Sequence, residues 1–168
     1  MSAVSDIPSV PRTPRIARST RRAVECASYG GAMREGSLAD SVEIVKTAYG
    51  AFARGDLPAF LALLDPEVAW SEASGFPSVG GTHIGPQAVV AALTQVAADW
   101  DGLTVTADEY FSAGDQVVVL GETQGRHRVT GKTFRSPFAH VLRVRGDRIV
   151  AWRAHIDTAL AQEAARPD

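Results

Sequence analysis

DPEVAWSEA, Asp65 to Ala73, follows an apolar run ending in Leu63-Leu64, and the fold reading turns on it. Asp65-Pro66 predicts a turn leading into a strand, in which successive side chains alternate between faces. Val68, Trp70 and Glu72 then share one side, and Ala69, Ser71 and Ala73 the other. Val and Trp mark the face expected to look into the core. The same alternation puts a carboxylate there, where burial is costly.

The remainder of the chain sets the frame for that carboxylate. A length of 168 residues suits one domain with its own core. A hydrophobic share of 45% with 21% charged residues is that of a soluble globular protein. The net charge of −2 gives no general attraction to nucleic acid or to an acidic membrane surface, and neither is expected as a partner. Cys26 is the only cysteine, so no internal disulfide can form, in keeping with a cytoplasmic setting. No apolar run approaches the roughly 18–20 residues needed to span a bilayer. Residues 1–36 stand apart, with Pro8, Pro11 and Pro14 followed by Arg12, Arg15, Arg18, Arg21 and Arg22 and no apolar periodicity. They are expected to form a disordered tail; a later start at Met33 and an Arg-rich transit peptide fit the same composition.

From Leu38 the pattern is regular. Val42, Val45, Tyr49 and Phe52 form one helical stripe, and Gly55 can end that helix. Asp56 can cap a second helix carrying Leu57, Phe60, Leu61 and Leu64, with Pro58 in its first turn. The Glu72 strand follows, then a glycine-rich turn from Gly75 to Gly85 and a third helix through Val89, Leu93 and Val96. Strands are predicted over 103–111, 116–123, 133–144 and 148–156, with Pro137 implying a bulge or an irregular start and Gly146-Asp147 a hairpin turn. Asp157 is read as the cap of a last helix, Thr158–Ala165. The expected class is α+β, a cone-shaped curved antiparallel sheet wrapped around three helices with a short C-terminal helix. Val117-Val118-Val119-Leu120 is apolar on both faces, so a second copy of the sheet is expected to cover the outer one in a homodimer.

Three stretches resemble the nuclear-transport-factor-2-like superfamily, which includes ketosteroid isomerases, limonene epoxide hydrolases and SnoaL-like cyclases. They are YGAFARGDLPAFLALLDPEVAW, GGTHIGPQAVVAAL and HVLRVRGDRIVAWRAHIDTAL, and the likeness spans roughly residues 38–165. A domain over 37–165 is expected on that basis. The resemblance implies a pocket inside the sheet that different members use for different chemistries. Counted without gaps from Gly55-Asp56, Glu72 falls where the isomerases keep a general-base aspartate. The isomerases' catalytic tyrosine falls at Ala48, which implies that Tyr49 points elsewhere. Their oxyanion-hole aspartate falls at Ala139, a position thereby expected in the pocket. The epoxide hydrolases' Asp-Arg-Asp set falls near Gly121, Thr123 and Ala154, so that reaction is disfavoured. The cyclases' pocket histidine matches His140, although the neighbours of His140 favour the face opposite Ala139.

The expected pocket is lined by Tyr49, Phe52, Phe60, Trp70, Val119, Ala139, Trp152 and Ile156, with Glu72, His140 and His83 as candidate catalytic groups. The four histidines lack metal-ligand spacing, and neither a phosphate loop nor a Gly-x-Ser-x-Gly elbow occurs, so no metal and no cofactor are expected. Two functions follow. One is a cofactor-free isomerase or cyclase that moves a proton beside a carbonyl on a small hydrophobic, polycyclic or terpenoid-like compound, with Glu72 as base. The other is a non-catalytic binder of a small apolar ligand.

Overall fold

The computed structural model describes residues 35–168, with side chains from Asp40 onward. The expected tail lies, up to residue 34, outside the described residues. Helix α1 spans Glu35–Ala53 and buries Val45, Ala48 and Tyr49. Gly55 stops it in the left-handed region at φ 70°, where its N–H bonds the Phe52 carbonyl and the Asp56 N–H bonds that of Ala51. Asp56 at once caps α2 (Leu57–Ala62), its carboxylate accepting from the Ala59 N–H at 3.1 Å. Two helices are thus joined by three residues, and Phe60 is buried.

Strand β1 (Leu64–Glu72) follows directly, then β2 (Gly81–Ile84), α3 (Gly85–Asp99), β3 (Trp100–Ala113), β4 (Gln116–His127), β5 (Thr133–Arg145), β6 (Arg148–Ile156) and α4 (Thr158–Ala165). The six strands form one open curved sheet in the order β2-β1-β6-β5-β4-β3. The class is α+β as expected, with four helices. Asp157 caps α4 by accepting from the Ala159 N–H at 3.0 Å. Three details of the sequence reading change. The Gly75–Gly85 stretch is not all turn, because its end pairs with β1 as β2. The sheet is not wholly antiparallel, since β1 lies parallel to β6. No bulge forms at Pro137, which pairs in register with Glu122; β6 ends opposite Phe138, so the missing N–H falls just past that ladder. The register shifts instead in β3, between Asp101 and Thr104 and between Ala107 and Glu109, and also between Leu64 and Ala69 of β1 and where Arg143 and Val144 meet β6.

The helices and the inner sheet face enclose the main core of Val45, Ala48, Tyr49, Phe60, Val68, Trp70, Val119, Phe138, Leu142 and Trp152, among others. A smaller cluster of Val79, Val96, Trp100, Phe134 and Ala161 closes one end of the sheet beneath α3 and α4. Gly121 is the tightest point in the middle. A Cβ there would drive into the Thr106 carbonyl oxygen and come within 2.7 Å of the Phe138 ring. Gly121→Ala is therefore expected to cost about 2–3 kcal/mol, whereas Gly80→Ala, with nothing within 4 Å of its Cβ, should be neutral. Chemical denaturation of the two variants checks this; equal midpoints would contradict the close packing at Gly121.

Candidate functional site

Parallel pairing of β1 with β6 sets Trp70 beside Trp152 in register, and their rings stack at 4.2 Å and 19°. Phe60 meets both edge-on, at 5.9 and 6.3 Å, and Tyr49 lies 5.3 Å from Trp152. Such pairs contribute about 0.5–1.5 kcal/mol each beyond their buried area. Beside this platform is a cavity of about 80 Å³, walled by Tyr49, Phe52, Phe60, Trp70, Trp152 and Ile156. Glu72 and His140 supply its ionisable groups along with Tyr49, and Thr123 adds a hydroxyl.

Glu72 stands two residues beyond Trp70 on the same face, and its carboxylate accepts from the Trp70 indole N–H at 2.5 Å. Desolvation raises its pKa above the ordinary carboxylate value; the indole bond and the nearby His83 offset this in part. His83 pairs across to Trp70 in the β1–β2 ladder, and its Nε2 is buried without a hydrogen-bond partner. It is not part of the cavity wall.

His140 faces inward. Strand β5 alternates strictly, burying Phe134, Ser136, Phe138, His140, Leu142 and Val144. Ala139 therefore faces outward beside His155 and Leu120, which corrects its assignment to the pocket. The ungapped count misplaced it by one residue, and in a strand that flips the face. Val119 faces inward opposite His140, in the core below the cavity rather than in its wall. Tyr49 does not point elsewhere. Its hydroxyl lies 2.6 Å from His140 Nδ1, because the stripe Val45, Tyr49, Phe52 turns it toward the sheet.

Burial sets the protonation of that pair. The His140 pKa is pushed down to about 3 by desolvation, with His155 adding to the effect, and burial also raises that of Tyr49. Both are neutral at pH 7. The buried hydroxyl needs an acceptor and Nδ1 is the one in reach, so Tyr49 donates and His140 keeps its proton on Nε2. The indole N–H of Trp152 is buried and unpaired. The chemistry assembled is one carboxyl of raised pKa and one neutral imidazole lining the same apolar cup.

Sequence reasoning missed Phe76, Leu93, Val96, Leu103, Val105 and Thr123 in the wall, and Ala154 enters it on the face shared with Trp152 and Ile156. Thr123 and Ala154 were legible as positions, since the epoxide-hydrolase count had reached both; Thr123 donates to the Thr104 carbonyl at 3.0 Å. Among the described residues no cluster of three or more His, Cys, Asp or Glu side chains could hold a metal ion. No helix among them is long and apolar enough to cross a membrane.

A curved open sheet with helices packed on it defines the fold class. The chain belongs to the SnoaL-like domain family, whose model matches residues 45–152. It is similar to an NTF2-like protein from Burkholderia thailandensis, with 35% identity over 76% of this chain and 98% of that one, at a TM-score of 0.72. An NTF2-like protein of unknown function from Burkholderia pseudomallei shares 33% identity over 74% and 96%, at 0.69. A protein of ketosteroid isomerase-like fold from Catenulispora acidiphila, in complex with trimethylamine, shares the fold at 21% identity over 74% and 94%, with a TM-score of 0.63. No curated protein matches the chain.

The two ionisable groups bend stability in opposite directions. The folded state holds the Glu72 proton more tightly than the unfolded chain does, so this contribution is present at low pH. It is lost as pH climbs from about 4.3 through the raised folded value. His140 is the reverse: stability is present above about 6.5 and lost as pH falls toward 3. Glu72→Gln keeps an acceptor for Trp70 and removes the buried charge. It is expected to raise the melting temperature at pH 8, by about 2–4 °C per kcal/mol, with the gain vanishing near pH 4. Thermal scans across that range check it; a gain independent of pH would mean that the carboxyl is not desolvated.

Proposed function

We propose that the chain is a cofactor-free isomerase or cyclase acting by proton transfer on a small hydrophobic carbonyl compound. The observation that carries the reading is a desolvated carboxyl in an apolar cavity shared with a neutral histidine donor. Glu72 in its ionised form would take a proton from the carbon next to the carbonyl, efficient because its pKa is shifted toward neutrality. The electron pair would move onto the carbonyl oxygen, steadied by His140 Nε2–H. Return of the proton to another carbon completes an isomerisation, and attack of the enolate carbon on a second carbonyl of the same molecule completes a cyclisation. His83, beside Glu72 but outside the wall, would tune that carboxyl rather than touch the substrate.

A hollow of about 80 Å³ favours a small substrate over a polycyclic one, since pockets for drug-sized ligands measure about 300–1,000 Å³. The inner cavity suits the reacting end of a molecule. The test uses butanone and follows exchange of its α-hydrogens in deuterated water by NMR. The wild-type chain is expected to accelerate exchange, and Glu72→Gln to lower the rate about 10²–10⁴-fold. Equal exchange by the variant removes Glu72 from the mechanism. Butanone binding without accelerated exchange supports the second reading, a non-catalytic binder, which is favoured by Glu72 being the cavity's one carboxyl.

We also propose a homodimer through the outer sheet face, with cytoplasmic residence as the setting suggested by the lone Cys26. Val118, Leu120, Ala139 and Val141 stand half-buried on that face, and Phe111, paired with Val118, is 49% exposed. Analytical ultracentrifugation at micromolar concentration is expected to give a dimer that Val141→Glu converts to monomer. A monomeric wild type would refute the arrangement.

A further inference from the structure

The inner cavity does not end at its wall. A cleft of about 410 Å³ lies outside it, between the turn after α1, the outer turns of α3 and the start of β3. Phe52, Leu93, Val96 and Leu103 line both spaces, so the partition between them is made of side chains alone. Three of the four are only partly buried and all are apolar, so rotamer changes that join the two expose no polar group. Beyond the partition the cleft is bounded by Leu57, Ala97, Trp100 and the glycines at 55 and 102. Arg128 is the charged residue in its lining, but its guanidinium is engaged. Nε donates to the Ala97 carbonyl at 3.3 Å, and the side chain pairs with Asp101 at 3.4 Å. That leaves its aliphatic stem as the surface offered to the cleft. The outer space therefore suits a neutral apolar group.

We infer that the cavity and the cleft together bind one elongated molecule, a straight-chain carbonyl compound whose oxygen lies at His140 and whose alkyl tail passes between Phe52 and Leu103 into the cleft. This rests on the proposed proton-transfer reading for the orientation of the carbonyl alone. The volumes argue for it independently. The inner cavity is too small for a typical ligand, and with the cleft attached it falls within the range that such ligands fill. Apart from the engaged Arg128 the cleft wall is apolar, and the other polar side chains line the inner cavity, which is the polarity of a chain bearing one oxygen.

The experiment is a binding series of straight-chain methyl ketones, from butanone upward, followed by calorimetry on the full chain. Affinity is expected to rise about fourfold for each methylene seated in the cleft, and to stop rising when the cleft is full. Ala97 is exposed and lines the cleft but not the inner cavity, so Ala97→Phe shortens the cleft without disturbing the core. That variant should lose the gain for long ketones and keep wild-type affinity for butanone. NMR gives a second readout: the Ala97 methyl and Gly102 amide should shift with the long ketones and stay still with butanone. Affinity that levels off at the shortest chains, or resonances in the cleft that never move, overturns the inference. Glu72→Gln is run in parallel. Unchanged exchange there defeats the base assignment and leaves the chain-length series to decide the cleft by itself.

Discussion

The site depends on the parallel junction of β1 and β6. In-register pairing of Trp70 with Trp152 stacks two indoles across it, and Phe60 braces both from α2. Glu72 follows Trp70 by two residues as Ala154 follows Trp152, so the junction delivers carboxyl and small side chain to the same wall. A register slip of one residue would turn Glu72 outward and put Ser71 in its place. Wide, rigid rings are suited to preventing such a slip, because neither can rotate away without breaking the stack. The indole of Trp70 also holds the carboxylate, tying the charge to the platform that isolates it.

An apolar cup with few polar groups makes each of them costly and responsive. Desolvation acts in opposite senses on Glu72 and His140, favouring the protonated acid and the neutral imidazole. Both groups are therefore biased toward zero charge by the same surroundings. The bond from Tyr49 fixes the imidazole tautomer, which leaves the Nε2–H of a cavity-lining residue as the free donor. The Trp152 N–H is buried without a partner, which carries a penalty of about 1–3 kcal/mol.

The architecture divides its labour between two clusters. The main core and its aromatic platform hold the inner cavity, while Trp100, Phe134 and the short α4 seal one end of the sheet. The cleft lies between them, where α3 bridges the clusters and presents Leu93 and Val96 to both hollows. The outer sheet face takes no part in either hollow. Its half-buried aliphatic row is separated from the cavity by one strand thickness, which is how His155 outside comes to influence His140 inside.

Local pattern alone determined most of the elements. Gly55-Asp56 marks a helix break and a cap because only glycine enters the left-handed region freely and aspartate accepts a backbone N–H. Alternation from Val68 to Glu72 placed the carboxyl on the core side, and that needed nothing beyond the strand's period of two. The inward turn of His140 was also legible in the row Phe134, Phe138, Leu142 and Val144; counting from a family resemblance obscured it at Ala139. What the sequence could not reveal was which strands meet. The parallel β1–β6 pairing, the Tyr49–His140 bond across 91 positions and the partition shared by cavity and cleft join residues distant along the chain. Periodicity records which face of an element is apolar; only packing decides what that face meets, and so which polar groups end up sharing one hollow.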